Sequence, residues 1–539
     1  MYDKLDSLTR EYVSRHGLDC ALGAPRKWQY FRVALILAAA VFLLFYRWDI
    51  FLCAATAFSC IFYGGTIAFR TVAMLLSLSG KGEVRISADE AAEIKDEDLP
   101  VYTVLLPLYR EEAIVKKLLN NLDNLDYPKD KLDIKLLLEK DDNLTRNILE
   151  KEKLPPHYEL IVVPDNQPKT KPRACNYGLA AAKGEFCVIF DAEDRPEPDQ
   201  LRKVVNAFRK NSEKLACIQA KLNYYNHDQN LLTKLFTIEY STTFDLFLPG
   251  LKRMRVPVPL GGTSNHFRTG VLREIGGWAP FNVTEDCDLG VKIYKSGHIT
   301  SMINSTTWEE ANSQAWNWVR QRSRWVKGFI QTHFVHTANP LLTLKHLGLW
   351  GYFGFYQSVG ASSLMLLLNP FFWVAGLLYL YLLIQGMSSG AAFTDLLIGP
   401  HSPMFKEMTA VSELGNLSVW PMIYIGADQS VFYSHLSIAF FVVSVVLLAA
   451  NLLFILTHYI ACYKRGFKKL AKYSLLMPFY WIMISFGAWK GFVQLLYKPY
   501  YWEKTIHGIT DAENIKCQKE NINVDFKRPS YAKAKSKHD

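Results

Sequence analysis

The chain has 539 residues, of which 50% are hydrophobic and 14% aromatic, and a formal net charge of +10. This length exceeds one ordinary domain, and the apolar share is high for a soluble protein. Lys and Arg gather in the N-terminal stretch, between Lys464 and Lys472, and near the C-terminus; this distribution suits anionic lipid headgroups and argues against nucleic acid as a partner, while nine cysteines without a CxxC pair indicate neither a zinc site nor a disulfide framework.

Residues 1–29 read as a basic tail, with Lys4, Arg10, Arg15, Arg26 and Lys27 ahead of the first apolar run. Runs at 33–46 and 50–69 follow without a small-residue cleavage pattern, so 30–77 reads as two transmembrane helices, not a signal peptide. Each run, with its aromatic flanks, approaches the ~20 residues that cross ~30 Å of hydrocarbon. Arg47 is the only cation between them, against the many before the first run, which places the N-terminus and everything after Arg70 on the cytoplasmic side. Residues 78–100 are charged and read as a linker.

From 101 the rhythm changes to short apolar runs, at 101–106, 134–138, 160–163, 186–190 and 216–219, separated by helical patterns such as 112–125 and 174–182. This alternation predicts an α/β fold with a mainly parallel sheet covered on both faces. In such sheets ligands bind beyond the carboxyl ends of the strands, and the unusual residues fall there. The first strand ends in Pro107-Leu108-Tyr109-Arg110-Glu111-Glu112 and the second in Glu139-Lys140-Asp141-Asp142. Lys169-Thr170-Lys171-Pro172-Arg173 opens a helix, a suitable place for phosphate oxygens. The fourth strand runs into Asp191, Glu193 and Asp194. Burying carboxylates is costly without a positive partner, and oxygen-only ligands on a tight turn suit Mg²⁺ or Mn²⁺. An acidic helix N-terminus also accounts for them, as a solvated loop would for each cluster taken singly.

Further on, a glycine-bearing turn, 259–268, precedes Gly276-Gly277-Trp278 and Thr284-Glu285-Asp286. Asp286 stands where it can cap the next helix or serve chemistry, and His266 reads as structural. The helical stretch 315–333 interleaves Trp316, Trp318, Arg320, Gln321, Arg322, Arg324, Trp325 and Lys327. Such a helix can lie on a membrane surface, offer rings to sugars and cations to a diphosphate, or both.

Together these residues resemble the membrane-integrated family 2 glycosyltransferases, the group of cellulose, chitin and hyaluronan synthases and their bacterial exopolysaccharide relatives. The resemblance rests on the acidic strand end 139–142, the basic segment 171–176, Asp191-Ala192-Glu193 as a DxD-like motif, Thr284-Glu285-Asp286, and Gln321 to Trp325 as QxxRW, in the family's order. It implies a GT-A-like nucleotide-sugar-binding domain at 101–313, inserted between transmembrane segments. It also implies that Glu139, Asp141 or Asp142 contacts uracil and ribose, with Lys171 near the nucleotide. Asp191 and Glu193 would hold Mg²⁺ or Mn²⁺ on the diphosphate, and Asp286 would be the general base. Glu285, Gln321, Arg324 and Trp325 would bind the acceptor end and the leaving group. The chain departs from the family at Glu193, where many members carry Asp, and at 139–142, which does not align uniquely with the usual Asp pair. The late motif 501–508, YWEKTIHG, is similar to one in bacterial exopolysaccharide synthase-like members.

Residues 314–347 read as an amphipathic interfacial region, 348–501 as transmembrane and interfacial helices, and 502–539 as a basic cytoplasmic tail. Apolar segments lie at 350–368, 371–384, 436–460 and 475–497. If all four spanned, the basic loop 464–472 would fall outside, against the charge rule. A re-entrant or interfacial segment resolves this, either 350–368 or the last run, interrupted by Pro478. The expected activity is metal-assisted, inverting transfer from a UDP-sugar to a growing β-linked polysaccharide, coupled to export, by a multi-pass protein of the cell (inner) membrane with its catalytic domain in the cytoplasm. The alternatives are glycosylation of a membrane lipid, ceramide glucosyltransferase-like, and a non-catalytic transporter or scaffold with a degenerate transferase domain. Expected partners are a UDP-sugar, a polysaccharide or lipid acceptor and membrane lipids; the oligomeric state stays open.

Overall fold

The computed structural model describes residues 5–112, 115–388, 429–501 and 503. Among these, one sheet is built from β1 (Glu83–Val84), β2 (Tyr102–Leu108), β3 (Leu132–Glu139), β4 (Tyr158–Val163), β5 (Phe186–Ile189), β6 (Arg195–Pro196), β7 (Leu215–Tyr224), β8 (Asn265–Arg268) and β9 (Ile299–Glu309). The first helices are α1 (Ser7–His16), α2 (Lys27–Tyr46), α3 (Trp48–Ser77), α4 (Ala88–Ala92), α5 (Val115–Asp123), α6 (Asn143–Lys151), α7 (Lys171–Ala181), α8 (Gln200–Lys210), α9 (Leu231–Thr242), α10 (Leu248–Met254), α11 (Thr269–Ile275) and α12 (Glu285–Lys295). They are followed by α13 (Ala315–His336), α14 (Pro340–Phe355), α15 (Ser362–Ser388), α16 (Gln429–Lys464) and α17 (Met477–Tyr497).

The strand order is β1-β9-β7-β8-β5-β2-β3-β4, with β6 beside β9. β5, β2, β3 and β4 run parallel, as do β1, β9 and β7, while β8 is antiparallel to both of its neighbours. This is the mainly parallel α/β fold that the alternation of runs predicts, and the GT-A-like fold that the resemblance implies. β3 is buried along its whole length, as a strand covered on both faces must be. Its Lys135 is tolerated inside because Asp133 lies 2.7 Å and Glu159 2.5 Å from the ammonium.

Each expected strand falls largely within an observed one, and the differences lie at the ends. The run at 216–219 extends to Tyr224 because β7 keeps pairing with β9 beyond a register shift. The expected helix at 174–182 starts at Lys171, since Pro172 stands in its first turn, where a missing N–H costs nothing. His266 is structural: it is fully buried, with Nδ1 2.8 Å from the Tyr102 hydroxyl and Nε2 3.2 Å from Gln200 Oε1.

Two stretches expected as tail and linker are built into the domain. Within 1–29, Asp6 caps α1 by accepting from Thr9 N at 2.8 Å, and its other oxygen accepts from Arg173 Nε at 2.6 Å. Within 78–100, β1 joins the sheet edge beside β9, and Ser87 and Glu90 cap α4 reciprocally. The tail 502–539 lies outside the described residues, except Glu503.

Among the described residues three helical segments are long and apolar enough to cross a membrane: Lys27–Tyr46, Ala57–Ser77 and Val445–Lys464. They do not stand apart from the domain. One apolar core joins Phe69 and Ala73 of α3, Leu248 and Leu251 of α10, Trp318 of α13, Phe454 of α16, and Tyr480 and Ile484 of α17. A Cβ at Gly250 would lie 2.0 Å from the Ala73 carbonyl oxygen, so only glycine lets α10 approach α3 this closely. The basic loop after α16 packs against the sheet domain: Lys464 Nζ donates to the Asp245 carbonyl at 3.1 Å, and Arg465 pairs with the Asp245 carboxylate at 3.3 Å. Both segments that can relieve the charge conflict pack along neighbouring elements: in 350–368, Trp350 Nε1 donates to the Met254 carbonyl at 2.8 Å. In α17 the Tyr480 hydroxyl accepts from Arg322 at 2.9 Å, and near its other end Gln494 accepts from Lys327 at 3.4 Å, both partners on α13.

Candidate active site

The turn after β5 sorts its acids by hydrogen bonding. Asp194 points inward, 1% exposed, and its Oδ2 accepts from Asp191 N at 2.7 Å and from the Thr263 hydroxyl. Burial, with Asp191 and Glu193 beside it, raises its pKa well above the carboxylate range. With Asp194 closing the turn, Asp191 and Glu193 face the cavity. Lys171, first residue of α7, donates to Asp191 Oδ1 at 2.5 Å and to the Gly262 carbonyl at 2.7 Å. Burial works against its charge, but Asp191 and Glu285 outweigh this and hold it above the ordinary lysine range.

Gly262 connects this group to the second acidic pair. A Cβ on it would sit 3.5 Å from Asp286 Oδ2. Thr284 occupies the cap position of α12, and Asp286 lies inside the first turn with Oδ1 accepting from Cys287 N at 2.7 Å. Burial raises both Glu285 and Asp286 above the carboxylate range, and for Glu285 repulsion from Asp286 adds to it. α13 reaches this corner through Gly328, where a Cβ would lie 2.3 Å from the Thr284 methyl.

The residues of α13 divide by face. Trp318 is fully buried and Trp316 is 62% exposed. Gln321, Arg324 and Trp325 line the cavity. Gln321 accepts from Asn312 Nδ2 at 2.8 Å, and the Trp325 ring lies 6.1 Å from both Phe236 and Tyr240. Arg322, between them, is buried and pairs with Glu239, one N–H reaching Oε1 at 2.8 Å. Burial lowers the Arg324 pKa, opposed by Glu285, Asp191, Glu193 and Asp286 around it.

At the end of β3 the three candidate acids take different places. Glu139 lines the cavity, and burial raises its pKa to about 7 against the pull of Arg173, 3.6 Å away. Asp141 pairs with Lys169 at 2.9 Å. Asp142 is buried, holding Arg110 N at 2.5 Å and capping α6 through Thr145 N at 3.2 Å. Arg173 also holds Asp6, so the N-terminal segment braces the helix that carries Lys171.

Glu139, Lys171, Asp191, Glu193, Glu285, Asp286, Gln321, Arg324 and Trp325 line one cavity of about 820 Å³, whereas Asp141 and Asp142 stand outside its lining; the volume is within the size range of ligand pockets, roughly 300–1,000 Å³. It continues from Glu139, Asp191 and Asp286 to Arg70 of α3, Ser362 of α15 and Asn451 of α16. Among the described residues no three Asp, Glu, His or Cys side chains converge on a point that would enclose a cation. Two cavity-facing carboxylates suit Mg²⁺ or Mn²⁺ nonetheless, because such an ion keeps waters and is completed by substrate phosphates.

Reading the sequence missed Glu503, although its motif was in view. The carboxylate accepts from Lys490 at 2.6 and 2.8 Å and from Gln494 Nε2 at 3.0 Å, and the backbone carbonyl accepts from Arg324 at 3.0 Å. Tyr501, two positions earlier, lines the cavity, and its carbonyl accepts from Lys327. The segment thus seats Arg324. Glu503→Gln, which keeps the shape and loses the charged bonds, should lower nucleoside diphosphate release roughly tenfold while leaving the melting temperature close to wild type. Unchanged initial rates would remove Glu503 from this role.

Residues 100–328 match the family described as "Glycosyltransferase like family 2". The chain is 28% identical over 286 residues to the probable glycosyltransferase YdaM of Bacillus subtilis, covering 51% of this chain and 68% of that protein. It is 27% identical over 246 residues to the beta-monoglucosyldiacylglycerol synthase of Trichormus variabilis, covering 44% of this chain and half of that relative's length. Among solved structures, the mannosyltransferase PcManGT of Pyrobaculum calidifontis in complex with GDP-Man and Mn²⁺ aligns at 15% identity and a TM-score of 0.37, over 71% of this chain and 98% of that one. TarS of S. aureus in complex with UDP-GlcNAc aligns at 15% identity and 0.30, over 50% and 84%. Over residues 100–328 the chain carries a domain that matches this family, and it is a glycosyltransferase.

Proposed function

We infer that this glycosyltransferase moves a sugar from a UDP-sugar, with inversion, onto the growing end of a β-linked polysaccharide presented from its own membrane helices. The observation that carries this reading is the single cavity joining Asp286 and Asp191 to Arg70, Ser362 and Asn451. Asp286, partly buried and raised in pKa, accepts the proton of the acceptor hydroxyl as it attacks the anomeric carbon. Lys171 and Arg324 stand where negative charge grows on the departing diphosphate. A divalent ion held by Asp191 and Glu193 would supply Lewis-acid stabilisation of that same leaving group. Glu139, which lines the opposite end of the cavity, and Asp141, two residues on, are assigned to base and ribose, and Glu285 and Gln321 to the acceptor side. Asp142 supports the base-reading loop through its cap and its bond to Arg110.

A hydroxyl-rich acceptor suits the membrane end, where Tyr63, Ser358, Ser362, Ser363, Asn369 and Asn451 line the cavity. A lipid acceptor is the second reading, favoured by the relative named as a monoglucosyldiacylglycerol synthase and by apolar lining at Ile67, Leu366 and Phe454. The basic loop 464–472 packs on the sheet domain, which under the charge rule supports a cytoplasmic catalytic domain, and the three apolar segments support a multi-pass protein of the cell (inner) membrane.

The test is the purified protein in liposomes with a panel of labelled UDP-sugars and Mg²⁺ or Mn²⁺. A polymer ladder is expected, and Trp325→Ala should reduce polymer yield far more than UDP release, because water needs no ring to rest on. A single sugar on a lipid would install the second reading. No UDP release with any donor would reject both.

A further inference from the structure

We propose that the basic pocket between α9 and the loop after α16 binds the headgroup of an anionic phospholipid. The pocket has a volume of about 400 Å³ and is lined by Lys234, Lys468, Lys469, Lys472, Tyr459 and Tyr473, with Asp228 and Leu470. Four cations therefore face one acid. Asp228 lies 3.4 Å from His227, and none of the four lysines has a carboxylate within ion-pair distance among the described residues. Two of them lean on one ring instead: the ammonium groups of Lys234 and Lys472 lie 5.2 and 5.4 Å from the Tyr473 centroid. Like charges gathered without counter-charge repel, and an anion that bridges them removes that repulsion.

The position selects the anion. Tyr459 belongs to the apolar segment Val445–Lys464, and the lysines of the loop begin four residues after its end. Tyr459 is 44% exposed, an aromatic ring at the level where headgroups meet water. Lysines immediately beside the end of a membrane-crossing helix meet the phosphates of anionic lipids. A bound headgroup would also tie α9, which carries Glu239 and Tyr240 of the cavity, to the end of α16.

The experiment places the full-length protein in nanodiscs of phosphatidylcholine containing a few per cent of phosphatidylglycerol and counts retained phosphatidylglycerol by native mass spectrometry after extraction. The triple variant Lys468→Gln, Lys469→Gln, Lys472→Gln is compared with a control that neutralises exposed lysines away from the pocket, Lys183→Gln and Lys210→Gln. Juxtamembrane cations contribute roughly fivefold each to anionic-lipid affinity, so the triple variant should bind on the order of a hundredfold more weakly while the control matches wild type. Equal retention in all three proteins overturns the proposal. So does loss of the bound lipid when millimolar inorganic phosphate is added, which would mark a site for a soluble anion.

Discussion

Asp286→Asn should abolish sugar transfer while leaving UDP-sugar binding nearly intact. The substitution preserves shape and the hydrogen bond from Cys287 N, but removes the group that accepts the acceptor proton; losing a general base costs ~10²–10⁴-fold. The pH profile supplies a second signature. Because burial holds the folded-state pKa of Asp286 above the usual carboxylate range, and because the base must be ionised, the wild-type rate should fall with decreasing pH at values above those at which an exposed aspartate protonates. The variant's residual rate should lack that limb. Wild-type turnover in Asp286→Asn, or an unchanged acid limb, would remove Asp286 from the chemistry.

Chelation should stop the enzyme, and Asp191→Ala should weaken UDP binding only when the metal is present. Asp191 and Glu193 face the cavity while Asp194 is spent on closing the turn, so the pair has little redundancy. Removing an outer-shell partner of a metal costs about 10–100-fold in affinity, and a direct ligand should cost at least as much. The measurement is UDP affinity by calorimetry with and without Mn²⁺, in wild type and variant. An equal loss under both conditions would show Asp191 acting through Lys171, whose ammonium it holds at 2.5 Å, and not through an ion.

Much of the sheet was legible because strands buried on both faces leave continuous apolar runs, such as the one from Phe186 to Ile189 in β5. The two-residue β1 left no such run, and its stretch read as linker, although the Ser87 and Glu90 pair was a readable helix start. Local composition also brought the right acids into view without sorting them. That Asp194 turns inward depends on Thr263, 69 positions away, and that Asp142 caps a helix while Glu139 faces the cavity depends on which side of β3's end each occupies. The docking of α1 was hidden for the same reason, since Asp6 and Arg173 are 167 positions apart. Arg70 and Glu239 look like isolated charges in apolar surroundings, and Arg322 like one cation among several, until three helices bring them to one cavity. Glu503 sat in a visible motif, but its partners on α13 and α17 could be known only from packing.

The measurement that bears most directly on a shared catalytic and acceptor cavity is an electron cryomicroscopy map of the protein in nanodiscs, prepared during turnover and trapped with UDP and Mn²⁺. Diphosphate density is predicted against Asp191, Lys171 and Arg324, with sugar density running from Asp286 past Trp325 toward Ser362 and Asn451. Nucleotide density elsewhere, or an acceptor that approaches Asp286 from the aqueous side and leaves the membrane end of the cavity empty, would contradict the account.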